Sequence, residues 1–236
     1  MRRVLIVTMC AATLLATGAT ARAQQTFDVT MTADNVYAIY HGDSVSAVAL
    51  LGNATNLLAA DIWSTESYSL TLPDLSFVYI AAWSDDSVKQ GLLADFTNLT
   101  LGGQVLSGEP LWEVTATGQN LGNWDAPPSL ADLTAQIVLA NAGSNPSGGW
   151  VPNTPSVLNN GAGGIHPQTI GAIDPDARWM WYDSGGDGAA DAPFNGFDHD
   201  EYLIFRIPVN VPEPTALAAL TAGWLITVVR RRGRRR

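Results

Sequence analysis

The sequence of 236 residues has a single cysteine and few basic residues away from its two ends. Cys10 lies in an apolar stretch near the N-terminus, so residues 24–210 contain no thiol for a disulfide or a metal site. In that body only Lys89, Arg178 and Arg206 are basic, against 21 acidic residues, a formal charge of −18. Such a surface repels phosphate groups, and we therefore expect no binding to nucleic acid.

Motifs of common catalytic sites are also absent. The chain has no G-x-S-x-G, P-loop, G-x-G-x-x-G or H-E-x-x-H segment. Its three histidines, His41, His166 and His199, lack the spacing of zinc ligands. We therefore predict that the protein is not an enzyme. A hydrolase that uses paired carboxylates such as Glu109 and Glu113 is a less favoured alternative.

The N-terminal segment has the three parts of a secretory signal peptide. Arg2 and Arg3 are followed by an apolar stretch from Val4 to Ala19 and by Ala21-Arg22-Ala23. Ala21 and Ala23 are the small residues of an A-x-A cleavage site. Residues 1–23 are therefore predicted to be a signal peptide that is removed on export.

The C-terminal segment, residues 211–236, also has three parts. Pro212, Glu213 and Pro214 precede an apolar stretch from Thr215 to Val229. At about 1.5 Å per residue this stretch forms a helix of roughly 22 Å, short for a membrane core of about 30 Å. It predicts a short hydrophobic helix that anchors the precursor in the membrane. A cluster of six arginines follows, which holds the end of the chain in the cytoplasm: Arg230, Arg231, Arg232, Arg234, Arg235 and Arg236.

This arrangement resembles the PEP-CTERM sorting signal, which exosortases read. The resemblance implies that the precursor is held in the inner membrane until an exosortase cuts near Pro212-Glu213-Pro214. The mature protein then reaches the cell surface or the extracellular space. An uncleaved C-terminal membrane anchor remains the alternative.

The body, residues 24–210, is predicted to be one all-β domain, an antiparallel β-sandwich. Short alternating segments such as Tyr68 to Leu72 and Tyr202 to Val209 are separated by turns. A helix is predicted only at Leu130 to Leu139, where Ser129 can cap the first turn. The stretch from Ala142 to Gly171 is rich in Gly, Pro, Asn and Ser and predicts a long surface loop.

Parts of the body resemble the galactose-binding-like jelly rolls of bacterial carbohydrate-binding modules. The resemblance implies a jelly-roll sandwich. Because its motifs are structural, it indicates the fold more than the activity. His41 stands in the turn where that pattern usually has Asn. The matching segments are Ala33 to Gly42, Trp63, Val78 to Trp83, Gly91 to Ala94, Ala177 to Trp181 and Tyr202 to Arg206.

Two tryptophans in polar segments, Trp124 and Trp150, are candidate sugar contacts, because exposed aromatic rings stack on pyranose rings. A place in the core is the alternative for both. The strand tryptophans are predicted to fill the core: Trp63, Trp83, Trp112 and one of Trp179 or Trp181.

No cofactor is predicted, with Ca²⁺ as the one alternative. Asp183, Asp187 and Asp191 lie in a Gly-rich segment, and a second acidic run extends from Asp198 to Glu201. Carboxylate oxygens in flexible loops are typical Ca²⁺ ligands, although neither run has EF-hand spacing.

The sequence therefore predicts an exported, non-catalytic protein of the cell surface or extracellular matrix that interacts with envelope polysaccharide. The alternative is a lectin-like carbohydrate-binding module whose binding is assisted by Ca²⁺.

Overall fold

The structure is a computed structural model that describes residues 23–55, 63–84, 90–122, 125–159, 169–184 and 201–209. These residues form twelve strands and one helix. The elements are β1 (Gln24–Asp34), β2 (Val36–Gly42), β3 (Ala47–Thr55), β4 (Glu66–Pro73), β5 (Phe77–Trp83), β6 (Gly91–Asn98), β7 (Gln104–Leu106), β8 (Glu113–Ala116), α1 (Leu130–Asn141), β9 (Val151–Pro152), β10 (Thr154–Leu158), β11 (Arg178–Trp181) and β12 (Leu203–Pro208).

The strands form two antiparallel sheets of six strands each. The first has the order β10-β11-β6-β1-β4, with β7 also paired to β6, and the second has the order β3-β2-β5-β12-β8-β9. All pairings between neighbours are antiparallel. The prediction of an all-β antiparallel sandwich is therefore confirmed.

The main core lies between the sheets and follows from alternation along each strand. In β1, Phe27, Val29 and Met31 are buried, whereas Asp28 between them is exposed. In β5, Val78 and Ile80 belong to the same buried cluster as these β1 residues. Since successive side chains of a strand point to opposite faces, each sheet contributes one apolar face to this core.

A second apolar cluster covers the outer face of the second sheet, where α1 packs. Ala38 of β2 and Ala81 of β5 lie side by side in the sheet, and both contact the cluster that contains Leu133 and Ile137 of the helix. The helix therefore forms a third layer over this part of the sheet, which is buried and not exposed to solvent.

The helix begins as its sequence predicts, with Ser129 as its N-cap. The backbone N–H of Asp132 donates to Ser129 Oγ at 3.2 Å, which satisfies a free donor of the first turn. At the far end, Asn141 Nδ2 donates to the carbonyl oxygen of Ser44 at 2.8 Å, which ties the helix to the turn between β2 and β3. The helix extends two residues beyond the predicted end at Leu139.

The stretch predicted as a long loop, residues 142–171, contains regular structure. It includes β9 and β10, which pair with β8 and β11. Its small and polar composition hid these short edge strands. Of the predicted signal peptide only Ala23 is described, and the sorting segment lies outside the described residues. No helix within the described residues is long and apolar enough to cross a membrane.

His41, near the end of β2, gives the fold a pH dependence that can be tested. Burial lowers the pKa of His41 below its ordinary value of 6.5, and the charge of Asp43 opposes this in part. The unfolded chain therefore binds a proton first as the pH falls, so His41 lowers the stability of the fold as the pH falls below about 6.5. In the His41→Asn variant we expect the free energy of unfolding, measured by urea titration, to change less as the pH falls below this value. Equal changes in both proteins would contradict the argument.

Candidate functional site

Three polar or aromatic side chains lie side by side on the outer face of the second sheet, beyond the end of the helix. Tyr79 of β5 is the register partner of Arg206 of β12, and Arg206 is the partner of Glu113 of β8. Burial raises the pKa of Tyr79 to about 12, although the Arg206 charge opposes the rise. Tyr79 is therefore neutral at physiological pH, and its hydroxyl donates to the carbonyl oxygen of Asp43 at 2.6 Å.

The guanidinium of Arg206 is held by an ion pair and by aromatic rings. Its Nε and Nη2 both lie 2.7 Å from Glu113 Oε2. Its Cζ lies 3.9 Å from the ring centroid of Trp150 and 5.0 Å from that of Phe77. Cation–π contacts at such distances are favourable, so the arginine joins the strands to the indole ring.

Trp150 is fixed in place but only partly buried. Its Nε1 donates to Asn141 Oδ1 at 2.8 Å, and its ring centroid lies 6.0 Å from that of Tyr79. Together with the Arg206 contact, these interactions restrain the indole from three directions. We call Trp150, Arg206, Glu113, Tyr79 and Phe77 the Trp150 site.

The segment that leads to Trp150 is organised by Asn145. Its Nδ2 donates to the carbonyl oxygen of Ala116 and to Ser147 Oγ, both at 2.9 Å, and also contacts Thr115 Oγ1. Its Oδ1 accepts the backbone N–H of Gly149 at 2.7 Å. Gly149 has a φ of 125°, a conformation that favours glycine. The contacts of Asn145 therefore fix the backbone that precedes Trp150.

Of the two tryptophans predicted to contact sugar, Trp150 lies in this site and Trp124 lies outside the described residues. The prediction for the core tryptophans needs two corrections. Trp179 and Trp181 are both buried in the main core, with no more than 1% exposed, and Trp83 is buried in the second cluster, on the outer face of the second sheet. Trp112 is buried in the main core as expected, and Trp63 packs partly buried against it.

Of the predicted Ca²⁺ ligands, only Asp183 is described, and Asp187 and Asp191 lie outside the described residues. Glu201 is buried, and its carboxylate accepts the backbone N–H of Gly118 at 2.6 Å and the hydroxyl of Ser184. Burial, followed by the charges of Glu201 and Asp183, raises the pKa of Tyr182. Among the described residues there is no group of three or more His, Cys, Asp or Glu that could hold a metal ion.

The two carboxylates considered for a hydrolase have different surroundings. Glu113 is the ion-pair partner of Arg206, whereas burial raises the pKa of Glu109. Arg206 itself was missed as a site residue in the sequence. The available signal was its rarity, since it is one of three bases in the body and stands alone in the apolar strand β12.

Comparisons with known proteins do not classify the chain beyond its fold. No protein-family model, no curated protein and no solved structure matches the chain. The class that the described residues define is an all-β protein, a sandwich of two antiparallel sheets with one helix packed on its outer face.

Proposed function

We propose that the chain is an exported, non-catalytic protein of the cell surface or extracellular matrix, sorted by a PEP-CTERM signal, that binds envelope polysaccharide through the Trp150 site. The observation that carries the binding role is the indole of Trp150, which is partly exposed and held by Asn141, Arg206 and Tyr79. A ring fixed in advance loses little conformational entropy when a ligand stacks on it.

The positions of the first and last described strands in the chain support processing at both ends. β1 begins at Gln24, immediately after the predicted cleavage site, and β12 ends at Pro208. The backbone N–H of Val209 donates to the carbonyl oxygen of Ser76 at 2.9 Å, and Pro212 follows three residues later. Cuts after Ala23 and near Pro212 thus leave every described strand intact.

The finer fold within this proposal is the galactose-binding-like jelly roll. The resembling segments coincide with strands that build both sheets. Ala33 to Gly42 spans the end of β1 and all of β2, and Val78 to Trp83 lies in β5. The two remaining long matches lie on β11 and β12. The longer matching segments therefore lie largely in paired strands, which supports the jelly-roll proposal, whereas Trp63 lies in a turn.

The proposed export is tested by the intact mass of the protein recovered from the cell surface and from the medium. We expect a species that begins at Gln24 and lacks the arginine cluster. Deletion of the host exosortase should leave the full tail on a membrane-bound precursor. A surface protein that still carries Arg230 to Arg236 would be an uncleaved anchor instead.

The proposed binding is tested with envelope polysaccharide isolated from the producing cells. Trp150→Ala is expected to weaken binding by about tenfold or more, a typical effect of removing a central aromatic contact. Leu139→Ala, a change at an exposed residue of α1, is the control and should bind like the wild type. A chelator distinguishes the Ca²⁺-assisted lectin, since only that alternative loses binding. Undiminished binding by Trp150→Ala would remove the site from the proposal.

A further inference from the structure

The charges at the Trp150 site are unequally exposed. The Arg206 side chain is 13% exposed, whereas that of its partner Glu113 is 40% exposed. The guanidinium directs Nε and Nη2 to one carboxylate oxygen and lies between the rings of Trp150 and Phe77. A ligand that approaches the indole therefore meets a carboxylate before it meets a positive charge.

The rest of the body carries a net negative charge. Its formal charge is −18, and Arg178, the other arginine in the described part of the chain, lies on β11 of the other sheet. Long-range repulsion of this kind slows the approach of anionic polymers and is weakened by salt.

The chemistry that remains suits an uncharged sugar. The indole of Trp150 is partly exposed, and an apolar ring of this kind can stack on the C–H face of a pyranose. Glu113 Oε2 is taken by Arg206, while Oε1 makes no hydrogen bond within the described residues and can accept sugar hydroxyl groups. Burial keeps Tyr79 neutral, so it adds no charge to the site.

We infer that the Trp150 site takes neutral hexose polymers and discriminates against uronic acid polymers. This inference rests on the proposed function. The ion pair sets the discrimination, because Glu113 both neutralises Arg206 and presents its carboxylate to the ligand.

The test measures binding of the exported protein to neutral glucan, galactan and mannan and to the same polymers oxidised at C6 to carboxylates, at low and high salt. We expect at least one neutral polymer to bind about tenfold or more tightly than its oxidised form at low salt, with binding lost in Trp150→Ala. Glu113→Gln leaves the Arg206 charge uncompensated and should reduce the preference for the neutral polymer over its oxidised form. Asp28→Asn makes the same change in net charge on the exposed face of the first sheet and is the matched control.

The outcomes separate this inference from the proposed function. Tight binding to oxidised polymers that depends on Trp150 would overturn the inference and leave the proposed function standing. Equal effects of Glu113→Gln and Asp28→Asn would also overturn it, because the preference would then come from net charge alone. Failure to bind these polymers and the envelope polysaccharide would overturn the proposed function itself. Circular dichroism of each variant identifies a loss caused by misfolding, and Trp150→Phe then replaces Trp150→Ala.

Discussion

Replacing Trp112 with alanine is expected to lower the free energy of unfolding by about 3 to 5 kcal/mol, the usual cost of removing a buried tryptophan. Trp112 is completely buried between the sheets, and its ring meets that of Phe96 edge to face, with centroids 5.7 Å apart. Its Nε1 donates to the carbonyl oxygen of Leu106 at 2.9 Å, so the substitution leaves both a cavity and a carbonyl without its partner.

The measurement is a chemical denaturation curve, with two companion variants. Trp112→Phe keeps most of the ring volume but lacks the Nε1 donor. Its free energy of unfolding should therefore fall clearly less than that of Trp112→Ala. Leu111→Ala changes a neighbour that is 36% exposed and should stay within about 0.5 kcal/mol of the wild type. Similar stabilities for Trp112→Ala and Leu111→Ala would show that the indole is not packed as described.

The second large effect is expected at Asn159, which is completely buried after β10. Its Nδ2 donates to the carbonyl oxygens of Ile170 and Ile173, both at 2.9 Å, and its Oδ1 accepts the backbone N–H of Ile170 at 2.7 Å. Only an amide both donates and accepts in this geometry. Asn159→Leu removes the partner of the Ile170 N–H and of the Ile173 carbonyl oxygen, while the Ile170 carbonyl oxygen still accepts the N–H of Ile173 at 3.0 Å. The substitution should cost about 2 kcal/mol or more, at about 1 to 3 kcal/mol for each of the two groups.

Asn159→Asp provides a pH test of the same contacts. A carboxylate there faces two carbonyl oxygens in a buried position, so its pKa in the folded state rises above the unfolded value of about 3.9. The folded state then binds the extra proton, and stability falls as the pH rises above about 4. Relative to the wild type, Asn159→Asp should lose more stability at neutral than at acid pH, while Asn159→Leu should lose the same amount of stability at both. Asn53→Leu, at an exposed position of β3, is the control. An Asn159→Asp protein without this pH dependence would contradict the described hydrogen bonds.

Local patterns in the sequence predicted most of the sandwich. The segments Tyr68 to Leu72 and Tyr202 to Val209 were predicted as strands and correspond to β4 and β12, and Ser129 identified the start of α1. The burial of both Trp179 and Trp181 was missed because alternation says which residues share a face but not how much is packed around them. In β11 the residue between them, Met180, is buried as well.

The Trp150 site was only half predictable, for a different reason. Trp150 stood out as an aromatic residue in a polar segment, but its partners depend on sheet register. Arg206 meets Glu113 because β12 pairs with β8, and it meets Trp150 because Asn145 holds the preceding segment against β8. Such contacts between distant parts of the chain leave no local pattern in the sequence.

The position of β12 has a consequence for the order in which the protein folds. β12 lies inside the second sheet, between β5 and β8, yet it is the last strand in the described part of the chain. A chain made from its N-terminus cannot complete this sheet until residue 208 has been synthesised, and pairings that span such distances form slowly. During synthesis β5 and β8 therefore lack the strand that lies between them, so the second sheet forms only after nearly the whole described part of the chain has been made.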